Sequence, residues 1–463
     1  MEIDHRRNMS PTSREHLLQS AAKTIFISSL AACGIEQAFL SRFVPSEPSQ
    51  PYHFQLIGDG EIDLSGLERL VVISAGKGGA TMLQALLDRL PEPLARMAEG
   101  VLIAPTRPDV LPADIQYFQG GHPLPNSESI AGAKAALKVL RDAAASPHAL
   151  RTFCFFLISG GASAMMELPL DEDISPEDVR TFHRVLVHSG ANIADINCVR
   201  KHFSAVKGGR LGLAALPLRS VTLLVSDVPP GHLDDLGSGP TLPDSSTIEQ
   251  CRTILDRHKL LPQFPESIQR FFLSDRLSET PKPGSFSTRA YLLLSSEDLS
   301  KAARTIAHSL GFTAIIDNTG DDWDFRSAAD YLLTRFRELR REYDRVCLIS
   351  SGEVTVRLPR RAMLEDNLRS GVGGRNQHFA LYAHTLLQPE DHPAVIFSAG
   401  SDGVDGNSPA AGACVSPGLG DPTDVAQALQ NFDSFSYLDQ IGATVITGPT
   451  GNNLRDLRLL LAG

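Results

Sequence analysis

Residues 70–79 read LVVISAGKGG, a short apolar run that ends in a glycine-rich turn carrying one lysine. Similar apolar runs end in glycine, hydroxyl or acidic turns within residues 155–163, 221–227, 345–353 and 395–403. Buried parallel strands read as short apolar runs, and ligands of α/β proteins bind beyond the carboxyl ends of such strands. The repeated pattern therefore predicts an α/β protein whose site is built from several strand-end turns, and it favours a large polyanionic ligand.

Composition limits the architecture and the partners. A chain of 463 residues exceeds one ordinary core, which favours two domains. The net charge of −11 argues against nucleic acid as the main partner, because phosphate backbones need a basic surface. No apolar stretch approaches the length of a membrane span, and residues 1–7 lack the apolar run of a secretory signal. The sequence therefore predicts a cytoplasmic protein with neither a nucleic-acid nor a membrane partner.

Prolines mark the predicted division of the chain. Residues 241–290 carry five prolines and no strong glycine turn, and they contain one predicted helix. We therefore predict an N-terminal α/β domain over residues 1–245, a proline-rich boundary segment over 246–290 and a C-terminal α/β domain over 291–463. Six scattered cysteines without paired spacing indicate neither a disulfide framework nor a zinc site.

Residues 76–79, Gly-Lys-Gly-Gly, allow two interpretations. They form either a phosphate-binding loop, in which Lys77 meets charged oxygens, or a plain strand-to-helix turn with a solvated lysine. The segment is not a Walker A motif, because it lacks the four-residue gap and the hydroxyl residue after the lysine. It is also a poor dinucleotide fingerprint, because Thr81 occupies the third glycine position.

Two further segments of the first half each allow a functional and a structural interpretation. His122 is held between a glycine and a proline, either beside a small ligand or in a structural turn. Residues 197–210 hold four lysine and arginine side chains, either on a solvated surface or around a carboxylate or phosphate. Helical spacing would place Arg200 and Lys207 on one face.

Acidic side chains follow three of the apolar runs, at Asp227, Glu353 and Asp402. Magnesium binds few protein carboxylates and keeps waters and phosphate oxygens, so isolated strand-end acids suit a nucleotide enzyme. Each of these acids is alternatively a helix N-cap. Residues 373–377 read GGRNQ, which would place Arg375 on phosphoryl oxygens because a planar guanidinium matches their geometry.

Read together, these motifs resemble the glycerate 2-kinase family, whose C-terminal half is called the MOFRL domain. The resemblance runs from residue 15 to the C-terminus. It rests on eight ordered segments: 76–77, 121–125, 159–164, 197–210, 238–241, 373–377, 402–406 and 447–453.

The resemblance implies transfer of a phosphoryl group from ATP, with Mg²⁺, to the C2 hydroxyl of D-glycerate. It also implies two α/β domains with the active site in the cleft between them, the N-terminal one a Rossmann-like three-layer parallel sheet. Catalytic roles fall on Lys77, Arg375 and Asp227, and magnesium binding falls on Glu353 and Asp402. The glycerate-binding positions are His122, Asn197, Arg200, Lys207, Arg210, Ser159 and Ser163. The nucleotide-binding positions are Gly76, Gly78, Gly160, Gly161, Gly373, Gly374 and Asn453.

The chain departs from the family pattern in places. Residues 229–235 read PPGHLDD where the family usually reads Pro-Gly-Asp-Asp, which leaves the magnesium-binding acid open among Asp227, Asp234, Asp235, Glu353 and Asp402. An arginine- and leucine-rich loop over residues 357–370 is longer than usual.

Two further questions stay open from the sequence. Members of this family have carried the name hydroxypyruvate reductase, so an NAD(P)-dependent reductase is the alternative activity. Arg107 follows the next strand and would suit NADP, whereas the broken glycine fingerprint argues against a dinucleotide. The sequence does not determine the oligomeric state, and a homodimer is one option.

Overall fold

The structure, a computed structural model, describes residues 11–228, 233–358 and 371–463. Residues 229–232 of the PPGHLDD stretch and most of the predicted 357–370 loop lie outside the described residues. The described chain divides into two compact units. The N-terminal unit is Ile35–Leu294, and the C-terminal unit joins the described residues up to Gly34 to Ser295–Gly463. Both units are mixed α/β, which confirms the predicted fold class.

Helix α1 (Pro11–Ala32) precedes the N-terminal unit in the chain. The elements of the N-terminal unit follow in order: α2 (Ile35–Arg42), β1 (Phe43–Pro45), β2 (His53–Leu56), β3 (Gly60–Asp63), β4 (Arg69–Ala75), α3 (Gly79–Arg89), α4 (Glu92–Met97), β5 (Ala98–Ala104), β6 (Ile115–Gln119), α5 (Ser127–Ala144), β7 (Thr152–Ser159), α6 (Ala162–Met165), α7 (Pro176–His188), α8 (Ile193–Phe203), α9 (Arg210–Ala214), β8 (Arg219–Val225), α10 (Ile248–Arg257), α11 (Glu266–Leu273) and β9 (Ala290–Leu294).

Six parallel strands form the main sheet of the N-terminal unit, in the order β6-β5-β4-β7-β8-β9. The chain builds outward from β4 to β6 and then returns to build outward from β7 to β9. The strand order therefore reverses between β4 and β7, where α/β sheets bind their ligands. The apolar runs that predicted these strands are buried, because helices cover both faces of a parallel sheet. A separate antiparallel sheet contains β1, β2 and β3.

The C-terminal unit continues with α12 (Ser296–Ser309), β10 (Thr313–Ile316), α13 (Phe325–Glu342), β11 (Val346–Gly352), α14 (Arg375–Leu386), β12 (Ala394–Gly400), β13 (Gly412–Val415), α15 (Pro422–Gln430), α16 (Ser434–Gln440), β14 (Thr444–Val445) and β15 (Asp456–Ala462). Its six-stranded sheet is mixed, in the order β10-β11-β15-β12-β13-β14. Strand β15 lies antiparallel between β11 and β12. Its first residue, Asp456, therefore pairs with the last residues of both neighbours, Gly352 and Gly400.

The two units differ from the predicted segments at both ends of the N-terminal half. Helix α1 belongs to the C-terminal unit, where the Phe26 and Phe397 rings lie 5.1 Å apart. Residues 246–290 are not a linker, because α10 and α11 pack with α7 and α8 around a core that contains Phe182 and Phe272. Residues 291–294, predicted to open the C-terminal series, lie in β9, which pairs with β8. The apolar side chains of α1, α10 and α11 are buried in these contacts, and burial of apolar surface favours this placement of the helices.

Among the described residues, no single helix is long and apolar enough to cross a membrane. Only the bent pair Ser13–Ala32 and Ile35–Arg42 reaches that length and composition together.

Candidate functional site

The turn after β4 presents Lys77. Gly76 adopts φ +122°, and a side chain there would collide with Ser159. The backbone N–H of Lys77 donates to the Gly160 carbonyl at 2.8 Å, and that of Gly78 donates to Ser159 Oγ at 2.9 Å. The turn is therefore fixed to β7 across the point where the strand order reverses. The Lys77 side chain is exposed, and no hydrogen-bond or ion-pair partner is found for it in the described chain.

The turn after β7 differs from the Lys77 turn in whether its backbone N–H groups are hydrogen-bonded within the protein. The N–H groups of residues 76–79 all have acceptors within the protein, so they are not available to an anion. No protein acceptor is found in the described chain for the N–H groups of Gly160 and Gly161. The Asp227 carboxylate, beyond β8, packs directly against the α-carbon of Gly160. The predicted residues Lys77, Gly160, Gly161 and Asp227 thus meet at the ends of three adjacent strands.

His122 lies beside the same turn. A side chain at Gly161 would lie 3.1 Å from the His122 ring and 3.2 Å from Lys77 Cγ, so the two residues flank this glycine. Desolvation, together with the charges of Lys77 and Arg200, lowers the pKa of His122 to about 4. The imidazole is therefore neutral at pH 7, and one ring nitrogen is an acceptor. Arg200 is buried, and its Nε has no hydrogen-bond partner among the described residues.

A hydrogen-bond chain holds Asn197 and Ser163 together. The Ser238 hydroxyl donates to Asn197 Oδ1 at 2.9 Å and lies 2.7 Å from Ser163 Oγ. Asn197 Nδ2 donates to Asp235 Oδ1 at 3.0 Å. The buried Ser238 therefore links α6, which carries Ser163, to α8, which carries Asn197.

The side chains of Lys207 and Arg210 bond to other parts of the protein and not to this cluster. Helix α8 ends at Phe203, so Lys207 does not share a helical face with Arg200 as its spacing predicted. Lys207 is fully buried, and its Nζ donates to Glu167 Oε2 at 2.7 Å. Arg210 donates to the carbonyls of Lys201 and Ser278, which fastens the 246–290 segment to the turn. These contacts give both side chains a packing role.

We expect Lys207→Met to destabilise the protein rather than to weaken substrate binding. Burial opposes ionisation of Glu167, but Lys207 and His183 outweigh it and lower the pKa of Glu167 to about 2. Removing the lysine leaves a buried carboxylate without its cation, which costs about 3–5 kcal/mol of the free energy of unfolding. Urea unfolding at pH 7 measures this loss, and Lys138→Met, which removes an exposed lysine, is the control.

The pH dependence of stability provides a second check on the Glu167 pair. The folded-state pKa of Glu167 is depressed from 4.5, so the wild type loses this stabilisation as the pH falls from about 4.5 toward 2. The Lys207→Met variant should lack that pH-dependent increment. A Lys207→Met variant with wild-type stability and a much raised KM for D-glycerate would instead indicate that Lys207 binds the substrate.

In the C-terminal unit, Arg375 is held by two carboxylates. Its Nε and Nη2 donate to Asp456 at 2.7 and 3.1 Å, and Nη2 also lies 2.7 Å from Glu353 Oε1. Burial opposes the charge, but Asp456 and Glu353 outweigh it and raise the pKa of Arg375. The guanidinium is therefore fixed in one plane at the ends of β11 and β15, with part of its surface exposed.

The glycines before Arg375 permit close packing at the start of α14. A side chain at Gly374 would collide with Asp405. The Asp405 carboxylate accepts from the backbone N–H groups of Asn376 and Gln377 at 3.1 and 2.8 Å. The N–H of Gly373 donates to Asn407 Oδ1 at 2.8 Å. The N–H of Gly373 is therefore occupied by the protein itself, so the predicted nucleotide contact of Gly373 is not through this group.

Asp402 lies next to this cluster. A side chain at Gly400 would lie 3.2 Å from Asp402 Oδ1 and 3.5 Å from Asp456 Oδ1, so these two carboxylates flank the end of β12. Asn453 Oδ1 accepts from the N–H of Arg455 at 3.1 Å and shapes the turn into β15.

The acids of this cluster suit magnesium in type and number. Carboxylate oxygens are the donors that Mg²⁺ prefers, and it usually binds one or two of them together with waters and phosphate oxygens. Asp402 is partly exposed, whereas one oxygen of Glu353 is taken by Arg375. No group of three or more histidine, cysteine, aspartate or glutamate side chains in the described chain forms a metal site by itself. The arrangement therefore fits a magnesium ion that is also coordinated by the phosphate oxygens of a bound molecule.

The sequence did not identify Asp456, Arg455 or Asp321 as site residues. Arg455 pairs with Asp321 and Asp322 at 2.5 and 2.9 Å, and the N–H of Glu353 donates to Asp321 Oδ1 at 2.9 Å. Nothing in the sequence signals that residues 455–456 reach the end of β11, since this depends on the antiparallel insertion of β15. Only their position within the 447–456 region, directly after a glycine-rich motif, could have drawn attention to them.

Two protein families match successive parts of the chain. Residues 21–273 match the family described as a domain of unknown function, DUF4147, and residues 346–456 match the MOFRL family. D-glycerate 2-kinase of Thermotoga maritima is 33% identical over 404 residues, which cover 84% of this chain and 90% of that protein. An Agrobacterium vitis protein with the provisional name hydroxypyruvate reductase is also 33% identical, covering 85% of this chain and 87% of that protein.

A solved structure is similar over almost the whole chain. The crystal structure of glycerate kinase from Thermotoga maritima superposes with a TM-score of 0.78 at 29% sequence identity. The match covers 97% of this chain and 100% of that one.

Proposed function

The chain belongs to the glycerate 2-kinase family, and we propose that it transfers the γ-phosphoryl group of ATP to the C2 hydroxyl of D-glycerate. The products are 2-phospho-D-glycerate and ADP. The observation that carries the proposal is the exposed Lys77, held at the strand-order reversal beside the N–H groups of Gly160 and Gly161, for which the described residues provide no acceptor. A cation and free N–H groups at such a position suit phosphate or carboxylate oxygens.

In the N-terminal unit, we assign Lys77 to the transferring phosphoryl group. Phosphoryl transfer depends on positioning and on neutralising charge, and an unpaired exposed ammonium is free for that use. Asp227 packs on Gly160 at the end of the adjacent strand, which suits a residue that orients or deprotonates the acceptor hydroxyl. Arg200 and His122 are the side chains best suited to the glycerate carboxylate and hydroxyls, because Lys207 and Arg210 are bonded elsewhere.

In the C-terminal unit, we assign Arg375 to the phosphate oxygens of ATP. Its guanidinium is held in a fixed plane by Asp456 and Glu353, and a pre-oriented planar cation loses little freedom on meeting a phosphoryl group. Asp402 and Glu353 would hold Mg²⁺, which neutralises charge on the phosphate oxygens when bound. The proposed residues are thus divided between the two units.

The Lys77 turn argues against an NAD(P)-dependent reductase. A dinucleotide fold uses the N–H groups of this turn to bind pyrophosphate, and here they bond Ile103, Gly160, Ser159 and Gly76 instead. The reductase is nevertheless the alternative activity, and an enzyme assay tests it directly. Purified protein with hydroxypyruvate and NADH or NADPH should give no decrease in absorbance at 340 nm.

The direct test is the identity of the product. Incubation with MgATP and D-glycerate should yield 2-phosphoglycerate, which enolase converts to an enol phosphate that absorbs at 240 nm without added mutase. L-glycerate in place of the D-enantiomer is the control, and NMR of the product locates the phosphate. Exclusive formation of 3-phosphoglycerate, or no transfer with magnesium present, would show that the proposed function is wrong.

We further propose that the protein is a cytoplasmic kinase that acts only on small-molecule substrates. The net charge of −11 supports the absence of a nucleic-acid partner. Fractionation of the source cells with an antibody against the chain tests the location.

A further inference from the structure

Arg458 is a buried arginine in the middle of β15. Its side chain has no exposed surface, and in the described chain none of its three guanidinium nitrogens has a hydrogen-bond partner. The guanidinium lies 5.7 Å from the ring centroid of Phe379 on α14, a cation–π contact. In the described chain, no hydrogen bond or ion pair therefore explains why this position is an arginine.

A buried cation without hydrogen bonds lowers stability. Transfer of a charged group from water to a protein interior is unfavourable unless it is paired, and arginine does not escape by losing its proton. Replacing buried charges by apolar residues of similar volume is often neutral or stabilising. Arg458 is therefore a candidate for a residue whose charge serves something other than the stability of the fold.

The neighbouring charge on the same strand is Asp456. Residues two apart on a strand point to the same face, about 6.7 Å from each other along the chain. Asp456 is 1% exposed and holds Arg375 through two hydrogen bonds. Burial lowers the pKa of Arg458, whereas the charges of Asp456 and Asp321 oppose this shift. Asp456 therefore binds Arg375 directly and shares its face of β15 with Arg458.

A second buried carboxylate increases the need for positive charge here. Asp405 is 2% exposed and caps α14, and burial, with a smaller contribution from the charge of Asp456, raises its pKa to about 6. Two buried carboxylates so close together disfavour each other's ionised forms.

We propose that Arg458 is a positioning residue whose buried positive charge attracts the Asp456 carboxylate and holds it in the position from which it binds Arg375. Arg375 then keeps the orientation in which it meets the transferring phosphoryl group. The proposal deepens the proposed kinase function and rests on it for the catalytic consequence. The effect on the position of Arg375 does not depend on the substrate.

The first test is Arg458→Met, which keeps the volume and removes the charge. We expect an unchanged or raised melting temperature, a kcat lowered about 10–100-fold, as for supporting residues of catalytic groups, and a KM for D-glycerate within about threefold of wild type. Arg458→Lys keeps the charge and should retain more activity than Arg458→Met. Leu460→Met, a volume-conserving change on the same face of β15, is the matched control and should keep the wild-type kcat.

The second measurement does not use activity. Phenylglyoxal modifies accessible arginines, and peptide mass spectrometry measures the rate at Arg375. We expect this rate to rise severalfold in Arg458→Met, because a less firmly held Asp456 releases Arg375. The rate at Arg335, an exposed arginine paired with Glu338, should not change.

The outcomes separate the two hypotheses. A wild-type protein without kinase activity would contradict the proposed function, and the modification rate would still decide the positioning role. A folded Arg458→Met with wild-type kcat and an unchanged rate at Arg375 would overturn the positioning role. If Arg458→Met does not fold, Arg458→Lys decides: a folded Arg458→Lys that loses more than tenfold in kcat with an unchanged Arg375 rate would also overturn it.

Discussion

Lys77→Met is expected to lower kcat by about 10²–10³-fold while leaving the melting temperature within about 1 °C of wild type. A cation directed at charge that develops in the transition state typically contributes this much to the rate. The side chain is exposed and has no protein partner in the described chain, so its loss disturbs no packing. Exposed substitutions of this kind change stability by less than about 0.5 kcal/mol.

The measurement is steady-state kinetics with MgATP and D-glycerate, together with a thermal melt of the same preparation. Lys138→Met is the matched control, because Lys138 is an exposed helical lysine that pairs with Asp142 in the same helix. A Lys77→Met enzyme that retains near wild-type kcat would remove Lys77 from the mechanism. The neutral Met side chain keeps the length of the stem, so a loss of activity reports on the charge.

Arg375→Ala is expected to lower kcat by a similar factor of about 10²–10³ and, in contrast to Lys77→Met, to lower stability as well. The buried carboxylate of Asp456 loses both of its hydrogen bonds to the guanidinium. Leaving a buried charged acceptor unpaired costs about 1–3 kcal/mol. The combination of lost turnover and a lowered melting temperature therefore distinguishes Arg375 from Lys77.

Arg375→Lys separates the two effects. Lysine keeps a positive charge beside Asp456 but lacks the planar fork, so stability should largely recover while kcat stays at least about tenfold below wild type. Arg335→Ala, which removes an exposed arginine from α13, is the control and should change neither quantity. An Arg375→Ala enzyme with wild-type turnover would exclude Arg375 from the reaction, whatever its stability.

The sequence determined the strand ends and the residues displayed there. Apolar runs that end in glycine turns predicted β4, β7, β8, β11 and β12, because local burial and turn chemistry are encoded in neighbouring residues. Asn126 accepts from the N–H of Ser129 at the start of α5, because asparagine side chains satisfy the unpaired N–H groups of a helix start. The family resemblance then identified Lys77 and Arg375, and membership of that family is confirmed.

Only the tertiary structure decided which partners the other charged side chains have and which unit each helix joins. Lys207 looked like a substrate cation, yet it is buried against Glu167, forty residues away in sequence. Helix α1 joined the distant C-terminal unit, because its apolar side chains pack with those of α12 and β12. Asp456 reaches Arg375 across 81 residues because β15 inserts antiparallel between β11 and β12. Local patterns specify which residues are strands and turns, whereas ion pairs depend on strand order and register, which are set by contacts distant in sequence.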